Sequence, residues 1–254
     1  MRGDNVGQTS VVHFYATAPY SCSYLLEAEA RSQVAILASP IDTSIYSQLV
    51  RLGFRRSGVH IYRPYCDDCN DCISVRVPVQ LFQPNRSQRR IYKKHAATLT
   101  VRILPLEYRN EHYTLYCRYQ AKRHSGGGMS EDNPLHYADF ILKSRVDSHL
   151  VEFRINDTVC MVSLIDQLDD GLSAVYTFYD PDNTRASYGA FSILWQIEYA
   201  KSLGLRYIYL GYWIRQCRKM AYKSQYRPLE RLLEERWVEF NDALNETLSR
   251  KIAR

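Results

Sequence analysis

Three cysteines recur at intervals of three residues in the stretch Tyr-Arg-Pro-Tyr-Cys-Asp-Asp-Cys-Asn-Asp-Cys, which covers residues 62–72. Cys66, Cys69 and Cys72 supply three thiols, whereas a closed zinc or iron–sulfur site uses four ligands. Cys22 supplies the fourth only if the fold brings it near. The total of seven cysteines is odd and argues against a disulfide framework. A metal site, a catalytic thiol and simple packing therefore all remain open.

Positive charge is concentrated in two segments. Residues 82–95 carry five Lys or Arg and no acid, and residues 215–227 carry five more. Over the whole chain Lys and Arg exceed Asp and Glu by 33 − 27 = 6, which permits a polyanionic partner. The two blocks predict two contact points on one phosphate track, with solvated helix faces as the alternative.

In the first half, turn and periodicity signals predict elements around these segments. The cysteines are expected on a turn between two strands, and the first basic block on a helix. The predicted elements are a helix over 27–37, a helix from Thr43 or Ser44 to Leu52 ended by Gly53, strands over 59–62 and 73–77, a helix over 87–97 and a strand over 99–104.

The second half predicts a mixed sheet. A hairpin turns at Asn156-Asp157, and a later strand, buried helix and strand form a βαβ crossover. The fold class is therefore α/β (α+β), and no nucleotide-binding glycine motif is present. No signal peptide or membrane span is recognised, so a cytoplasmic protein is expected. The predicted elements are strands over 150–155, 158–167, 174–179 and 205–213, with the helix over 187–202.

Several longer motifs carry a family resemblance. Tyr-Thr-Phe-Tyr-Asp-Pro-Asp (176–182), Ala-Ser-Tyr-Gly-Ala-Phe-Ser-Ile-Leu (186–194), Tyr-Ile-Tyr-Leu-Gly-Tyr-Trp-Ile (207–214) and Cys-Arg-Lys-Met-Ala-Tyr-Lys-Ser-Gln-Tyr-Arg-Pro (217–228) resemble the C-terminal domain of arginyl-tRNA protein transferases. Cys-Ser-Tyr-Leu (22–25), the cysteine turn, Asn-Arg-Ser-Gln-Arg-Arg (85–90) and His-Ser-Gly-Gly-Gly-Met (124–129) are similar to the bacterial branch. The match runs in order over roughly residues 10–240.

The resemblance implies both activity and fold. Members of the branch move leucine from leucyl-tRNA to the α-amino group of proteins that begin with Asp or Glu, in the N-end rule pathway. Arginyl-tRNA as the donor and a metal-bearing RNA-binding module without catalysis are the alternatives. The family implies two domains related to the GCN5-type acetyltransferase fold, with mixed sheets flanked by helices. We expect an N-terminal domain over 1–100, a catalytic domain over 101–240 and a charged tail over 241–254.

The chemistry demands little of the protein, because an aminoacyl ester is already activated. The enzyme must align an amine with a carbonyl and stabilise an oxyanion, and it needs no nucleophile of its own. Tyr222 and Tyr226 are candidates to orient the amine or the oxyanion, with core packing as the alternative. Asp180 is the candidate base, although a carboxylate before proline is equally a turn residue.

Binding roles are assigned to cations and to two backbone sites. An acidic acceptor requires a cation, and the ester of a tRNA requires phosphate contacts. Residues 185–190 depart from the acetyltransferase CoA cradle, so no CoA is expected, and Ser187 is read as a helix cap or a contact for the tRNA terminus. A glycine loop is either flexible or a lid over the ester. The candidates are Arg86, Arg89, Arg90, Lys93, Lys94, Arg185, Ser187, Arg218, Lys219, Lys223 and Arg227, together with Gly126, Gly127 and Gly128.

The resemblance also bears on the cysteines and the partners. Relatives use N-terminal cysteines for a metal or cluster, which favours a zinc or iron–sulfur centre on Cys22, Cys66, Cys69 and Cys72. Its expected role is to brace or regulate the tRNA-binding part, since the chemistry requires no cofactor. The expected partners are leucyl-tRNA and proteins with N-terminal Asp or Glu, with no membrane.

Overall fold

A computed structural model describes residues 11–37, 41–123 and 133–241. In these ranges, three sheets are flanked by helices, which confirms the mixed α/β class. The strands are β1 (Val12–Ala16), β2 (Tyr20–Ser21), β3 (Glu29–Ala30), β4 (Ser32–Leu37), β5 (Arg55–Ser57), β6 (His60–Pro64), β7 (Ile73–Pro78), β8 (Thr100–Leu104), β9 (Ser148–Ile155), β10 (Thr158–Gln167), β11 (Gly171–Tyr179), β12 (Tyr207–Trp213), β13 (Glu230–Leu233) and β14 (Arg236–Glu239). The α-helices are α1 (Thr43–Arg51), α2 (Arg86–Ala96), α3 (Asn110–Arg123), α4 (Pro134–Tyr137), α5 (Tyr188–Ser202) and α6 (Arg218–Ala221).

The central sheet has eight strands in the order β14-β13-β7-β12-β11-β10-β9-β8 within the described ranges. Neighbouring strands are antiparallel except β11 and β12, which are parallel and joined by α5. The predicted crossover is therefore confirmed. A second sheet, in the order β1-β4-β6-β5, lies beside it, and β2 pairs with β3.

Local sequence signals account for several element ends. Asn156 and Asp157 have φ of 44° and 64°, the left-handed turn that joins β9 to β10 in a tight hairpin. Gly53 and Gly204 follow α1 and α5 with φ of 89° and 70°, where a side chain would be strained. A capping box between Asn85 and Gln88 starts α2.

The central sheet is covered on both faces, as alternation along its strands requires. Val151 and Phe153 of β9 pack with Phe191 of α5, and α2 lies beside α5. Leu150 points to the opposite face, where it packs with Leu115 of α3. Burial on two faces explains why the β10 strand is apolar over most of its length.

One predicted helix is wrong, and several observed elements were not predicted. Residues 27–37, predicted as a helix, contain β3 and β4 instead. β4 is stabilised by pairing with β1 on one side and β6 on the other, and such long-range pairing overrides local spacing. Helix α3 was not predicted, and neither were the strands β1, β5, β13 and β14.

The division near residue 100 stays a prediction. β7 lies before it yet pairs with β12 after it, and α2 packs on α5. Residues 1–100 could fold independently only without these contacts to the second half of the chain. The tail over 242–254 lies outside the described residues. No helix in the parts described has the length and apolar character needed to cross a membrane.

Candidate active site

The parallel pair at the centre of the sheet separates after three residues. β11 and β12 pair from Gly171 to Ser173 and from Tyr207 to Tyr209, and no pairing continues beyond that point in the described structure. Residues 174–177 of β11 are consequently half-buried, although β10 beside them is buried. We call this opening the splay cleft. Ligands of open α/β sheets bind at the carboxyl ends of parallel strands, which makes the splay cleft the candidate active site.

Arg55 fills the point where the two strands diverge. Its Nη1 donates to the Ser173 hydroxyl at 3.0 Å and to the Tyr209 carbonyl at 3.3 Å. Its Nη2 donates to the Ala174 carbonyl. The side chain satisfies carbonyls that strand pairing would otherwise have used, and it places a permanent positive charge at the floor of the splay cleft.

Lys223 is a second buried cation, only 6% exposed. Its ammonium group donates to the Tyr212 carbonyl and lies 3.2 Å from the Met220 sulfur. Burial, and then the charge of Arg55, lower the pKa of Lys223 to about 7. A neutral amine and an ammonium ion are therefore both accessible here at neutral pH.

Aromatic hydroxyls line the rim near the end of β11. Tyr222 keeps 42% of its surface exposed, while burial of its hydroxyl and the neighbouring Tyr179 raise its pKa to about 12. Tyr179 packs against Tyr119 at 4.9 Å between ring centroids, and Arg123 donates to the Tyr179 hydroxyl at 3.0 Å. Tyr222 therefore remains a neutral hydroxyl that can donate a hydrogen bond.

The other two predicted catalytic residues lie in different surroundings. Tyr226 is 3% exposed in the core and stacks on Phe82 at 6.3 Å, and its pKa is raised by burial. Asp180 follows β11 and accepts from Arg118 at 2.8 Å. Arg118 also binds Asp182 at 2.6 Å, so Asp180 belongs to a surface ion-pair network. Their catalytic roles stay predictions, and only Tyr222 lies at the rim.

The start of α5 borders the same end of β11. A Cβ on Gly189 would lie 3.5 Å from the Tyr179 ring, an ordinary contact. Ser187 stands at the helix cap with φ of 57°, but its side chain makes no capping hydrogen bond. Arg185 and Ser187 are exposed beside the helix end. Exposed side chains thus flank the N-terminus of α5, an end of a helix that favours anions.

The basic helix α2 connects both borders of the site. Gln88 donates to the Gln225 carbonyl at 3.1 Å, and His95 contacts the Ala186 carbonyl at 2.5 Å. The helix is thus held between the segment after α6 and the segment before α5. Its predicted cations are all exposed: Arg86, Arg89, Arg90, Lys93 and Lys94.

The cations of the second basic block are divided among different environments. Arg218 and Lys219 are exposed on α6. Arg227 donates to the Phe240 carbonyl and lies 4.8 Å from the Phe240 ring centroid, which fixes the chain beyond β14. The glycine loop, residues 126–128, lies outside the described residues.

The four predicted metal ligands line one cavity of about 180 Å³. Burial, then the proximity of the other three thiols, raises the pKa of Cys72 to about 12. Cys22 accepts hydrogen bonds from the N–H groups of Tyr24 and Leu25, each at 3.5 Å. However, no three His, Cys, Asp or Glu side chains in the described ranges are arranged to hold a metal ion. The geometry therefore does not support the expected zinc or iron–sulfur centre.

The most important residue that the sequence did not reveal is Arg55. Its neighbour Arg56 is an identical side chain, yet it binds Asp166 in a buried ion pair at 2.6 Å. Gly211, a glycine inside an otherwise apolar strand, was the feature of the sequence that could have indicated this contact. A glycine within a strand marks a bulge or a close approach, and here it lies against Arg55.

Comparison with known proteins identifies the family of the chain. The chain matches the profile "Arginine-tRNA-protein transferase, N terminus" over residues 20–90 and "Arginine-tRNA-protein transferase, C terminus" over 111–233. It is 61% identical to the aspartate/glutamate leucyltransferase of Chromobacterium violaceum, over 91% of this chain and 95% of that protein. The protein of the same name from Thiobacillus denitrificans is 55% identical over 89% and 94%.

These matches define an aminoacyltransferase. The chain belongs to the arginine-tRNA-protein transferase family. Among solved structures it is similar to FemX, with a TM-score of 0.43 and 10% identity over 78% of this chain and 79% of that one. The C-terminal domain of a putative lysylphosphatidylglycerol synthetase from Agrobacterium fabrum gives 0.44 and 11%, over 66% and 51%.

Proposed function

We propose that the protein transfers leucine from leucyl-tRNA to the α-amino group of proteins that begin with aspartate or glutamate. The observation that carries this proposal is the 61% identity with the Chromobacterium violaceum leucyltransferase over nearly the whole of both chains. Leucine at the new N-terminus marks the product for the N-end rule pathway. Because charged tRNA is found in the cytoplasm, we place the reaction there.

The reaction exchanges an ester for an amide. The acceptor nitrogen forms a bond to the leucyl carbonyl carbon, the bond from that carbon to the ribose oxygen breaks, and the amine proton ends on the ribose oxygen. The splay cleft aligns the two groups, and the neutral Tyr222 hydroxyl at its rim is available to donate to the oxyanion. An α-amino group with an ordinary pKa near 8 is partly neutral at pH 7, so a weak base suffices.

The charges around the splay cleft favour leucine over arginine as the donor. An arginyl side chain would need an acid partner in the site. Arg55 and Lys223 instead supply positive charge at the floor. Asp180, the acid predicted for this region, is already paired with Arg118. An arginyl side chain that entered beside Arg55 and Lys223 would be a third cation and would be repelled in a site of low dielectric constant.

We assign tRNA binding to α2, where five cations are exposed. Changing Arg86 and Arg90 together to glutamine should weaken leucyl-tRNA binding. It should also flatten the plot of log K against log salt by roughly 0.7–0.9 for each phosphate that the protein no longer neutralises. Filter binding from about 50 to 200 mM KCl, over which log K falls linearly with log salt, measures both effects.

A double variant, Arg102→Gln with Arg236→Gln, is the matched control for α2. These exposed arginines lie on β8 and β14, at the two edges of the central sheet. The control should keep the wild-type slope. An equal decrease of slope in both variants would show that the effect reflects net charge and would contradict a contact on α2.

No step of the transfer is assigned to a metal. Cys22, Cys66, Cys69 and Cys72 have the number and chemistry of a zinc or iron–sulfur ligand set, and they are the residues that would hold such a centre in a bracing role. Their arrangement does not form one. Metal analysis of protein purified without chelator, compared with Cys72→Ser, tests whether the four cysteines bind a metal. Equal metal content in the two proteins is expected.

The decisive experiment mixes the protein with a peptide that begins with Asp, or with Ala, and with leucyl-tRNA or arginyl-tRNA. Mass spectrometry should show leucine added to the Asp peptide alone. Arginine addition would replace the proposed donor. Tight tRNA binding without any product would favour an RNA-binding module, whereas acetylation with acetyl-CoA would favour an acetyltransferase on this fold.

A further inference from the structure

Two buried cations share the floor of the splay cleft, and within the described ranges neither has an acidic side chain as a hydrogen-bond partner. Arg55 is 9% exposed and Lys223 is 6% exposed. All of their hydrogen bonds in the described structure go to carbonyls, a hydroxyl or a thioether. By contrast, the buried Arg56 has Asp166 as its partner. Two like charges buried together are costly unless an anion joins them, which is the electrostatic condition for an anion site.

Arg55 keeps hydrogen-bonding capacity on one edge. A guanidinium has five N–H groups, and three of them are used by Ser173, Tyr209 and Ala174. Both N–H groups of Nη1 are occupied. The remaining two belong to Nε and Nη2, and they share one edge of the guanidinium when the Ala174 carbonyl takes the Nη2 hydrogen on the side of Nη1. Two parallel N–H groups on one edge match the two oxygens of a carboxylate.

Gly211 leaves the face of the guanidinium beside that edge free of a side chain. It lies in the irregular step of β12 pairing between Tyr209 and Gly211, with φ of 78°. A Cβ at this position would lie 3.2 Å from Nε and 3.4 Å from Nη2 of Arg55. The Cζ atom would lie at 3.3 Å, so a side chain here would press on the guanidinium face next to Nε and Nη2 and narrow the approach to them.

We propose that Arg55, with Lys223 beside it, binds the side-chain carboxylate of the acceptor's first residue and so sets the specificity for Asp and Glu. This assignment rests on the proposed function, because it names the acceptor subsite of the same cleft. A phosphate of the tRNA is the other anion to consider. The exposed arginines of α2 suit phosphates, whereas a recessed guanidinium edge suits a small planar carboxylate.

The test compares acceptor peptides that differ only in charge, Asp with Asn and Glu with Gln. Arg55→Met should lower the ratio of kcat/KM for Asp over Asn by about 10- to 100-fold, mainly through KM, since a charged hydrogen bond is removed. Lys223→Met should change the ratio in the same direction. Leucyl-tRNA affinity should stay at the wild-type value in both.

Arg63→Met is the matched control. Arg63 is a half-buried arginine of β6 that donates to Gln33 at 2.8 Å and stacks on Phe54 at 4.8 Å, away from the splay cleft. Its Asp/Asn ratio should equal that of the wild type. If Arg55→Met fails to fold, Arg55→Lys and Lys223→Met carry the comparison, because a point charge cannot reproduce a bidentate fork.

Each outcome decides the assignment. A folded Arg55→Met protein with the wild-type Asp/Asn ratio overturns it, as does a loss of tRNA affinity with the ratio unchanged. Calorimetric binding of the same peptides needs no turnover. Preferential binding of the Asp peptide that is abolished in Arg55→Met supports the subsite. If the wild-type protein nevertheless transfers no leucine, only the proposed function is contradicted. Equal wild-type affinity for both peptides overturns the subsite.

Discussion

Asp166→Asn is expected to lower the free energy of unfolding by about 3–5 kcal/mol, because it leaves a buried guanidinium without its anion. Asp166 is fully buried and accepts from Arg56 at 2.6 and 2.9 Å. It also accepts from the hydroxyls of Tyr46 and Ser148, each at 2.7 Å. The amide of asparagine would replace an acceptor by a donor that faces other donors.

Urea unfolding at pH 7 measures this effect, with Asp169→Asn as the control. Asp169 forms an equally short ion pair with Arg51 at 2.6 Å, but both side chains are about a third exposed or more. Loss of that pair should cost about 0–1 kcal/mol. Similar losses in the two variants would mean that the Asp166 network contributes no more than a surface pair.

The same network positions the splay cleft. Arg56 and Arg55 are consecutive on the three-residue strand β5, and successive side chains point in opposite directions. The ion pair to Asp166 therefore holds β5 in the register that delivers Arg55 to Tyr209 and Ala174. A drop in transfer rate that accompanies the destabilisation of Asp166→Asn would follow from this arrangement.

Elements with strong local signals could be predicted from the sequence. The capping box of α2, the Asn156-Asp157 turn and the run of apolar residues in α5 each act within one element. Such signals are independent of the rest of the fold, and their bounds are correct to one or two residues. The crossover from β11 through α5 to β12 followed from these elements in order.

The segment over 27–37 could not be assigned locally. A short apolar run fits both a helix and a strand, and periodicity alone does not distinguish them. Here the choice falls to β1 and β6, which pair with either side of β4. Val12 and Ile61 pair with residues of β4 but lie more than twenty residues away in sequence, so a local analysis of residues 27–37 does not include them.

The site shows the same limit. Cations of α2 were recognisable because a solvated helix face needs only its own sequence. Arg55 acquires its role from Ser173 and Tyr209, more than one hundred residues away. Tyr226 sits in the most distinctive motif, yet it packs in the core with Phe82. A sequence motif indicates a functional region. Which of its residues contact a ligand and which lie in the core is determined by the packing of the fold.

Lys223 should make the stability of the protein rise with pH just above neutrality. Burial first, and then Arg55, lower its pKa in the folded state to about 7, whereas an unfolded lysine has a pKa of about 10.4. Between these values the unfolded chain holds a proton that the folded protein has released, so the free energy of unfolding increases with pH. Below pH 7 both states hold the proton and this contribution is constant.

Lys223→Met removes the effect. The free energy of unfolding of the wild type relative to this variant should rise by about 1.5 kcal/mol from pH 7 to 8.5, which urea titrations at intervals of half a pH unit resolve. Other groups that titrate in this range cancel in the difference. Lys201→Met is the control, since Lys201 lies near the surface and pairs with Glu198 at 2.8 Å. Its curve should run parallel to the wild type, and a parallel curve for Lys223→Met would show that the buried lysine keeps its proton.

A peptide beginning with Asp should reduce the pH dependence, because a carboxylate beside Lys223 favours the ammonium form.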